Sequence, residues 1–132
     1  MMKVLKFGGT SVGTADRMHE VIDILEKNTF DQVVVLSAMS GTTNSLAAIS
    51  SAIANSQDET ALELIESLDL RYTRVLTDLY PDKADRDRGR ALLAPSFDLL
   101  KSKLGLQSYD LNDEKEVLAQ GELISTQLFA LI

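Results

Sequence analysis

The 132-residue sequence has no cysteine, no tryptophan, one histidine and two prolines. Without cysteine there is no disulfide scaffold, no thiol nucleophile and no Cys-based zinc site. With His19 as the only imidazole, a Ser-His-Asp triad or a multi-histidine metal centre would rest on that residue alone. His19 falls beside Met18 and off its helix's apolar stripe, which reads as a solvated or partly buried side chain. Basic residues are also in deficit. The chain carries 13 Lys and Arg against 20 Asp and Glu, a formal net charge of −7, which argues against nucleic acid or an anionic membrane as partner. No apolar run is long enough to span a bilayer, and the longest uncharged stretch, Gln32 to Gln57, is filled with Ser, Thr, Asn and Gln. The opening M-M-K-V-L-K-F-G-G reaches glycine before the apolar region of a signal peptide is complete. A soluble cytoplasmic protein is the expectation.

Apolar residues make up 45% of the chain, enough for a core and too many for a disordered segment. Charge is uneven: residues 1–56 hold 4 basic and 5 acidic side chains, residues 57–132 hold 9 and 15. The first segment is rich in small residues and the second patterns as solvated amphipathic helices. Lys3 to Phe7 is a short apolar run ended by Gly8-Gly9, a strand pattern. Thr14 is placed to cap a helix over about Ala15 to Lys27, with Met18, Val21, Ile22 and Leu25 on one stripe. Gln32 to Ser37 is a β-branched run typical of a strand buried on both faces of a parallel sheet. Strand, glycine loop, helix and strand form a βαβ unit with a right-handed crossover. Four further helical stretches follow. One is capped by Thr43 or Asn44 and one by Asp58 and closed by Pro81. A third spans Leu92 to Leu104 around Pro95, after a charged connector or solvated first turn at Asp82 to Arg90. The last is capped by Asn112 and carries Val117, Gly121, Ile124 and Leu128. Two strands are few for a parallel sheet, and Phe129 to Ile132 carries no helix-stop signal. The expectation is an incomplete α/β domain that continues beyond these residues.

Three segments hold candidate chemistry. In K-F-G-G-T-S-V-G, Lys6 ends a strand where ligands bind in open α/β sheets. Gly8 and Gly9 allow close approach of backbone amides to an anion, Ser11 adds a hydroxyl, and a helix N-terminus follows. That combination suits phosphate, although neither Walker A nor the dinucleotide glycine pattern fits. An ordinary Gly-Gly turn beside a surface lysine stays open. The segment S-A-M-S-G-T-T-N, from Ser37 to Asn44, offers small hydroxyl residues at the end of the second strand; helix capping by Thr43 and Asn44 is the plainer alternative. In Q-G-E-L-I-S, Gly121 inside a helix marks close packing, and Glu122 beside it is either a ligand for a cation or amine or a solvated surface carboxylate. The mixed-sign cluster from Asp82 to Arg90 reads as a salt-bridged surface.

These segments are also recognisable together. K-F-G-G-T-S-V at Lys6–Val12, V-V-V-L-S-A-M-S-G-T-T-N-S-L at Val33–Leu46 and A-Q-G-E-L-I-S-T at Ala119–Thr126 resemble, in order, three signature blocks of the aspartate kinases. The resemblance spans essentially the whole chain; from Asp58 to Leu104 it rests on helical character rather than motif. It implies the amino-acid-kinase fold, a three-layer α/β/α arrangement with a parallel-rich sheet, here truncated. It implies transfer of the ATP γ-phosphoryl group, with Mg²⁺, to the side-chain carboxylate of L-aspartate, the first step toward lysine, threonine and methionine. By matched position, Lys6 would offset charge on the transferring phosphoryl group, and Gly8, Gly9 and Ser11 would hold phosphate oxygens. Ser37, Ala38 and Thr43 would line the aspartate site, and Glu122 would bind the substrate's α-amino group. No metal-ligating residue is implied within this chain. The family's nucleotide-binding half and its regulatory ACT domains have no counterpart in residues 1–132, so the isolated chain is expected to be inactive and the longer enzyme to be a homo-oligomer. Two alternatives remain: a sibling acid kinase acting on glutamate, N-acetylglutamate or a carbamate, and a non-catalytic anion-binding or assembly module.

Overall fold

The structure, a computed structural model, describes all of residues 1–132. Two strands, β1 (Met2–Phe7) and β2 (Asp31–Leu36), flank helix α1 (Ala15–Glu26). Four helices follow: α2 (Thr42–Ala54), α3 (Asp58–Leu79), α4 (Lys83–Ser102) and α5 (Leu111–Ala130). The strands pair in parallel, with Lys6 opposite Val35 and Phe7 opposite Leu36, so the expected βαβ unit is present. One bond beyond the last pair, from the Ser37 amide to the Phe7 carbonyl at 3.0 Å, carries the pairing into the loops. The Thr14 side chain accepts from the Arg17 amide and starts α1 as expected.

The structure corrects several sequence expectations. β2 is not buried on both faces: Val33 and Val35 are 45% and 44% exposed, because no other element of these residues covers that side. α2 begins one residue before Thr43, with Gly41 at its N-cap in the left-handed region at φ 78° and no side-chain capping bond. α3 is entered from Gln57, so Asp58 is its first residue rather than its cap. The charged stretch before Leu92 is the first half of α4, which runs continuously through Pro95. α5 is capped by Asp110, not Asn112, through a reciprocal capping box with Asp113.

The core is a single cluster. Met18 and Val12 come from the α1 end, Leu46 and Ile49 from α2, Ile65, Leu68 and Tyr72 from α3, and Leu93 and Leu100 from α4. Ile124 and Leu128 of α5 complete it, all these side chains being essentially inaccessible to solvent. Each such burial contributes on the order of 1.5–3 kcal/mol against the entropy of ordering the chain. α2 packs on α3 and α5, α3 on α4, α4 on α5, and α5 reaches β2. Polar contacts fix α5 at both ends. Lys103, at the end of α4, bonds Asp113 at 2.8 Å and Glu116 at 3.1 Å; these bonds hold the lysine pKa up, and Lys103 in turn holds that of Asp113 down. Tyr80, buried where α3 ends, donates to the Leu128 carbonyl in the last turns of α5.

Glycines set the closest approaches. A Cβ on Gly89 would fall 2.6 Å from Leu76 Cδ2 and 2.9 Å from Tyr80 Cε2, so α4 crosses α3 where a side chain is missing. A Cβ on Gly121 would lie 3.0 Å from the Ala38 Cβ, which lets α5 lie against the β2–α2 loop. A Cβ on Gly13 would lie 2.3 Å from Ser40 Oγ and 2.5 Å from the Gly9 carbonyl oxygen. The Ser40 amide also donates to the Gly13 carbonyl at 3.1 Å, so the β1–α1 and β2–α2 loops are docked on each other.

Two predictions follow from this packing. Gly13→Ala forces a backbone oxygen to move and should lower stability by about 1–3 kcal/mol in urea unfolding; an unchanged midpoint would mean the loops are not in close contact. Burial, with a smaller push from Asp85, raises the Tyr80 hydroxyl from its ordinary value near 10 to about 12, and burial raises those of Tyr72 and Tyr109 as well. A folded pKa above the unfolded one means stability that is complete below pH 10 and is lost as pH rises from there through the folded value. Unfolding midpoints measured from pH 8 to about 11.5 should therefore decline only above pH 10, and more shallowly in Tyr80→Phe.

Candidate active site

The two loops leave the same edge of the sheet because the strands are parallel. Along β1 the side chains alternate, Leu5 and Phe7 half-buried on the core face, Met2, Val4 and Lys6 exposed on the other. Lys6 lines an open cavity of about 590 Å³ together with Ser37 at the end of β2 and Ala119, Glu122 and Thr126 of α5. A second cavity, of about 310 Å³, is lined by Ala38, Thr43, Lys115, Leu118, Ala119 and Glu122. Glu122 and Ala119 line both, so the two adjoin along α5 as a cleft of two lobes. Of the expected site residues, Lys6, Ser37 and Glu122 line one lobe and Ala38, Thr43 and Glu122 the other. Glu122 projects from α5 directly after Gly121, whose missing side chain allows the helix to approach Ala38.

Gly8, Gly9 and Ser11 do not line the cleft cavities. They form the turn that leads out of β1. The Ser11 and Val12 amides are used within this turn, both donating to the Gly8 carbonyl at 3.0 and 3.2 Å. The Gly8, Gly9 and Thr10 amides donate to no backbone carbonyl, and Gly8 and Thr10 are exposed. A Cβ on Gly8 would meet nothing within 4 Å, whereas one on Gly9 would sit 3.7 Å from the Ala38 carbonyl oxygen. The turn thus offers free main-chain donors one residue beyond the Lys6–Phe7 strand end, the arrangement that cradles an anion. The Ser11 contribution is its hydroxyl, since its amide is taken.

The cleft brings together an ammonium group, a carboxylate and small hydroxyl side chains, with neither imidazole nor thiol, and the free amides of the Gly8–Thr10 turn lie outside its two cavities. Such a set is suited to positioning and electrostatically stabilising a ligand that bears both charges. The chain gathers no group of three His, Cys, Asp or Glu side chains able to hold a metal ion. Sequence reasoning missed two contributors. Gly13 lies inside the first motif, and only its spacing before the Thr14 cap hints at a role. Arg71 carries no sequence signal, because it acts on main-chain atoms of the β2–α2 loop (Arg71 Nη2 to the Ser40 carbonyl, 2.8 Å).

Comparison with known proteins places this geometry. The amino acid kinase family matches residues 1–132. Aspartokinase 1, chloroplastic, of Arabidopsis thaliana is 33% identical over 135 aligned residues, covering 96% of this chain and 22% of that protein. Lysine-sensitive aspartokinase 3 of Escherichia coli is 33% identical, covering 98% of this chain and 28% of that protein. Among solved structures, E. coli aspartokinase III in complex with lysine and aspartate is similar with a TM-score of 0.73. The same enzyme in complex with aspartate and ADP is similar with a TM-score of 0.70. Each is 28% identical, with 98% of this chain and 28% of that chain covered. The chain thus spans between a fifth and a third of the length of these relatives. The parallel βαβ unit, the docked glycine loops and the whole-length match agree: this chain belongs to the amino acid kinase family.

Proposed function

We propose that residues 1–132 form the N-terminal, aspartate-side portion of the catalytic domain of an aspartate kinase. The reaction transfers the γ-phosphoryl group of ATP to the side-chain carboxylate of L-aspartate. A carboxylate oxygen bonds to the γ-phosphorus, the bond to the ADP oxygen breaks, and 4-phospho-L-aspartate and ADP leave. The observation that carries this reading is the single cleft shared by Lys6 and Glu122. It gives one amino-acid substrate a carboxylate for its ammonium group, with a cation near the reacting end.

In this reading Lys6 offsets the negative charge of the phosphoryl group in flight, and the Gly8–Gly9 turn with the Ser11 hydroxyl holds phosphate oxygens. Ser37, Ala38 and Thr43 line the aspartate site, and Glu122 takes the α-ammonium group. Phosphoryl transfer needs alignment and charge stabilisation more than covalent help, which suits a cleft without His or Cys. Magnesium has no three-ligand set among these residues; it would arrive on the nucleotide phosphates. No helix is long and apolar enough to cross a membrane. On this reading the longer protein is a cytoplasmic, homo-oligomeric biosynthetic enzyme. The nucleotide-binding half and the regulatory ACT domains are assigned to chain outside these residues.

Coupled ADP-release assays test the reading on the full-length gene product and on this chain alone. The full-length protein should turn over with aspartate and Mg-ATP, and the 132-residue chain should not. In the full-length protein, Lys6→Ala should lower kcat about 10²–10³-fold, and Glu122→Ala should chiefly raise the KM for aspartate. Turnover with N-acetylglutamate, which has no free ammonium group, and none with aspartate would replace this reading by that of a sibling acid kinase. A full-length protein that binds nucleotide in calorimetry but turns over no acid would make the segment a binding module.

A further inference from the structure

The β2–α2 loop faces two spaces. Ser37 and Ala38 line the Lys6–Glu122 cleft, while Met39, Ser40 and Thr42 line a separate cavity of about 200 Å³ bounded by Arg71 and Tyr72 of α3. On that far side the guanidinium of Arg71 grips the loop. Its Nη2 donates to the Ser40 carbonyl at 2.8 Å, and its Nη1 donates to Ser45 Oγ at 3.2 Å. The same group lies flat enough against Gly41 that a Cβ there would be 3.2 Å and 3.4 Å from its two terminal nitrogens. Arg71 takes part in none of the chain's ion pairs. Its hydrogen bonds all go to this loop and the first turn of α2.

Apart from Arg71 the loop is held by main-chain bonds, Ser40 to the Gly13 carbonyl and Thr42 to the Met39 carbonyl, and by the Thr42–Tyr72 hydroxyl pair, none of which engages the Ser40 carbonyl. Gly41 adopts a left-handed conformation, the α2 N-cap makes no side-chain bond, and the first turn of α2 carries no acidic residue. A left-handed glycine without a cap is a loosely determined joint. The clamp is also electrostatically unusual. A cation at a helix N-terminus opposes the macrodipole, so a guanidinium at the start of α2 is a poor choice for stability alone. It is a good choice where the loop's other side must receive an anion, because it adds to the positive potential of the helix end and fixes the loop in one shape.

We propose that Arg71 is a positioning residue: it holds the β2–α2 loop from behind in the conformation that presents Ser37, Ala38 and Thr43 to a substrate carboxylate. The inference rests on the aspartate-site reading of that cleft. It differs in locating the determinant of loop geometry on α3, outside the cleft.

The test compares wild type, Arg71→Ala and Arg71→Lys in the full-length protein, by steady-state kinetics, thermal unfolding and amide hydrogen exchange over Gly41–Ser45. Arg71→Ala should raise the KM for aspartate about tenfold, as expected for losing two hydrogen bonds from a charged donor. The KM for ATP should move by no more than about twofold, exchange in the loop should accelerate, and Tm should change little because Arg71 is exposed. Arg71→Lys should recover part of the aspartate KM, since an ammonium group reaches the Ser40 carbonyl but cannot bridge it to Ser45 with a planar fork. An unchanged aspartate KM or unchanged loop exchange in Arg71→Ala overturns the inference while leaving the kinase reading intact. An equal rise in both KM values with a fall in Tm also overturns it, as general loosening. A wild-type protein with no aspartate-dependent ADP formation overturns the kinase reading, and the inference falls with it.

Discussion

The parallel pairing of β1 with β2 is the constraint on which the cleft depends. It sets Lys6 opposite Val35 and brings Phe7 and Leu36 to the same edge, so both following loops emerge side by side. Because strand side chains alternate, a slip of one residue would turn Lys6 toward the core and Phe7 toward the cleft. The register is held from the core side, where Leu5, Phe7, Val34 and Leu36 are drawn into the apolar cluster, and from the ends, where Ser37 bonds back to Phe7. The same pairing aims the starts of α1 and α2 at one region of space. The first loop therefore runs beside the second, a Cβ on Gly9 falling 3.7 Å from the Ala38 carbonyl oxygen.

The loops are then brought closer than ordinary side chains allow. Gly13 seats against Ser40 and the Gly9 carbonyl, and Gly121 seats against Ala38. These seats bring the loops and α5 nearer to one another than side chains at the glycine positions would allow. The residues that line the cleft include neither histidine nor cysteine.

How much of this was legible in the sequence depended on whether a feature was local. β1, the Thr14-capped α1, β2 and their parallel crossover are periodic and punctuated, and they stand as expected, with the burial of β2 overestimated because a β-branched run does not say what covers it. The start of α4 was obscured by its charge. Asp85, Asp87, Arg88 and Arg90 carry no apolar stripe, yet they sit on a helix whose charges are paired, Arg90 reaching Asp69 and Thr73 on α3. Gly89 within that stretch marks a helix crossing that only the fold reveals. Capping was legible where the cap is a side chain of the usual kind, as at Thr14. It was missed where a left-handed glycine does the work, as at Gly41, and misplaced by two residues at Asp110. The cleft residues could be named by motif, and Lys6 with Glu122 proved to share a space. Arg71 had no such handle, since its partner is a carbonyl 31 residues away.

The helices without motifs have a definite task in this arrangement. Glu122 is separated from Lys6 by 116 positions, and the β2–α2 loop meets its helix at the close seat of Gly121. Its place follows from α5, which is stapled at its start by Lys103 to Asp113 and Glu116 and near its end by Tyr80 to the Leu128 carbonyl. Just before α5 begins, the hydroxyls of Ser50 and Tyr109 tie α2 to the segment that enters it, at 2.6 Å. α3 meanwhile carries both Tyr72, bonded to Thr42 at 2.7 Å, and Arg71 on the neighbouring loop. The helices therefore hold both walls of the cleft, α5 with its carboxylate and the β2–α2 loop with its hydroxyls, through residues in or at the ends of α3 and α4 that do not line it.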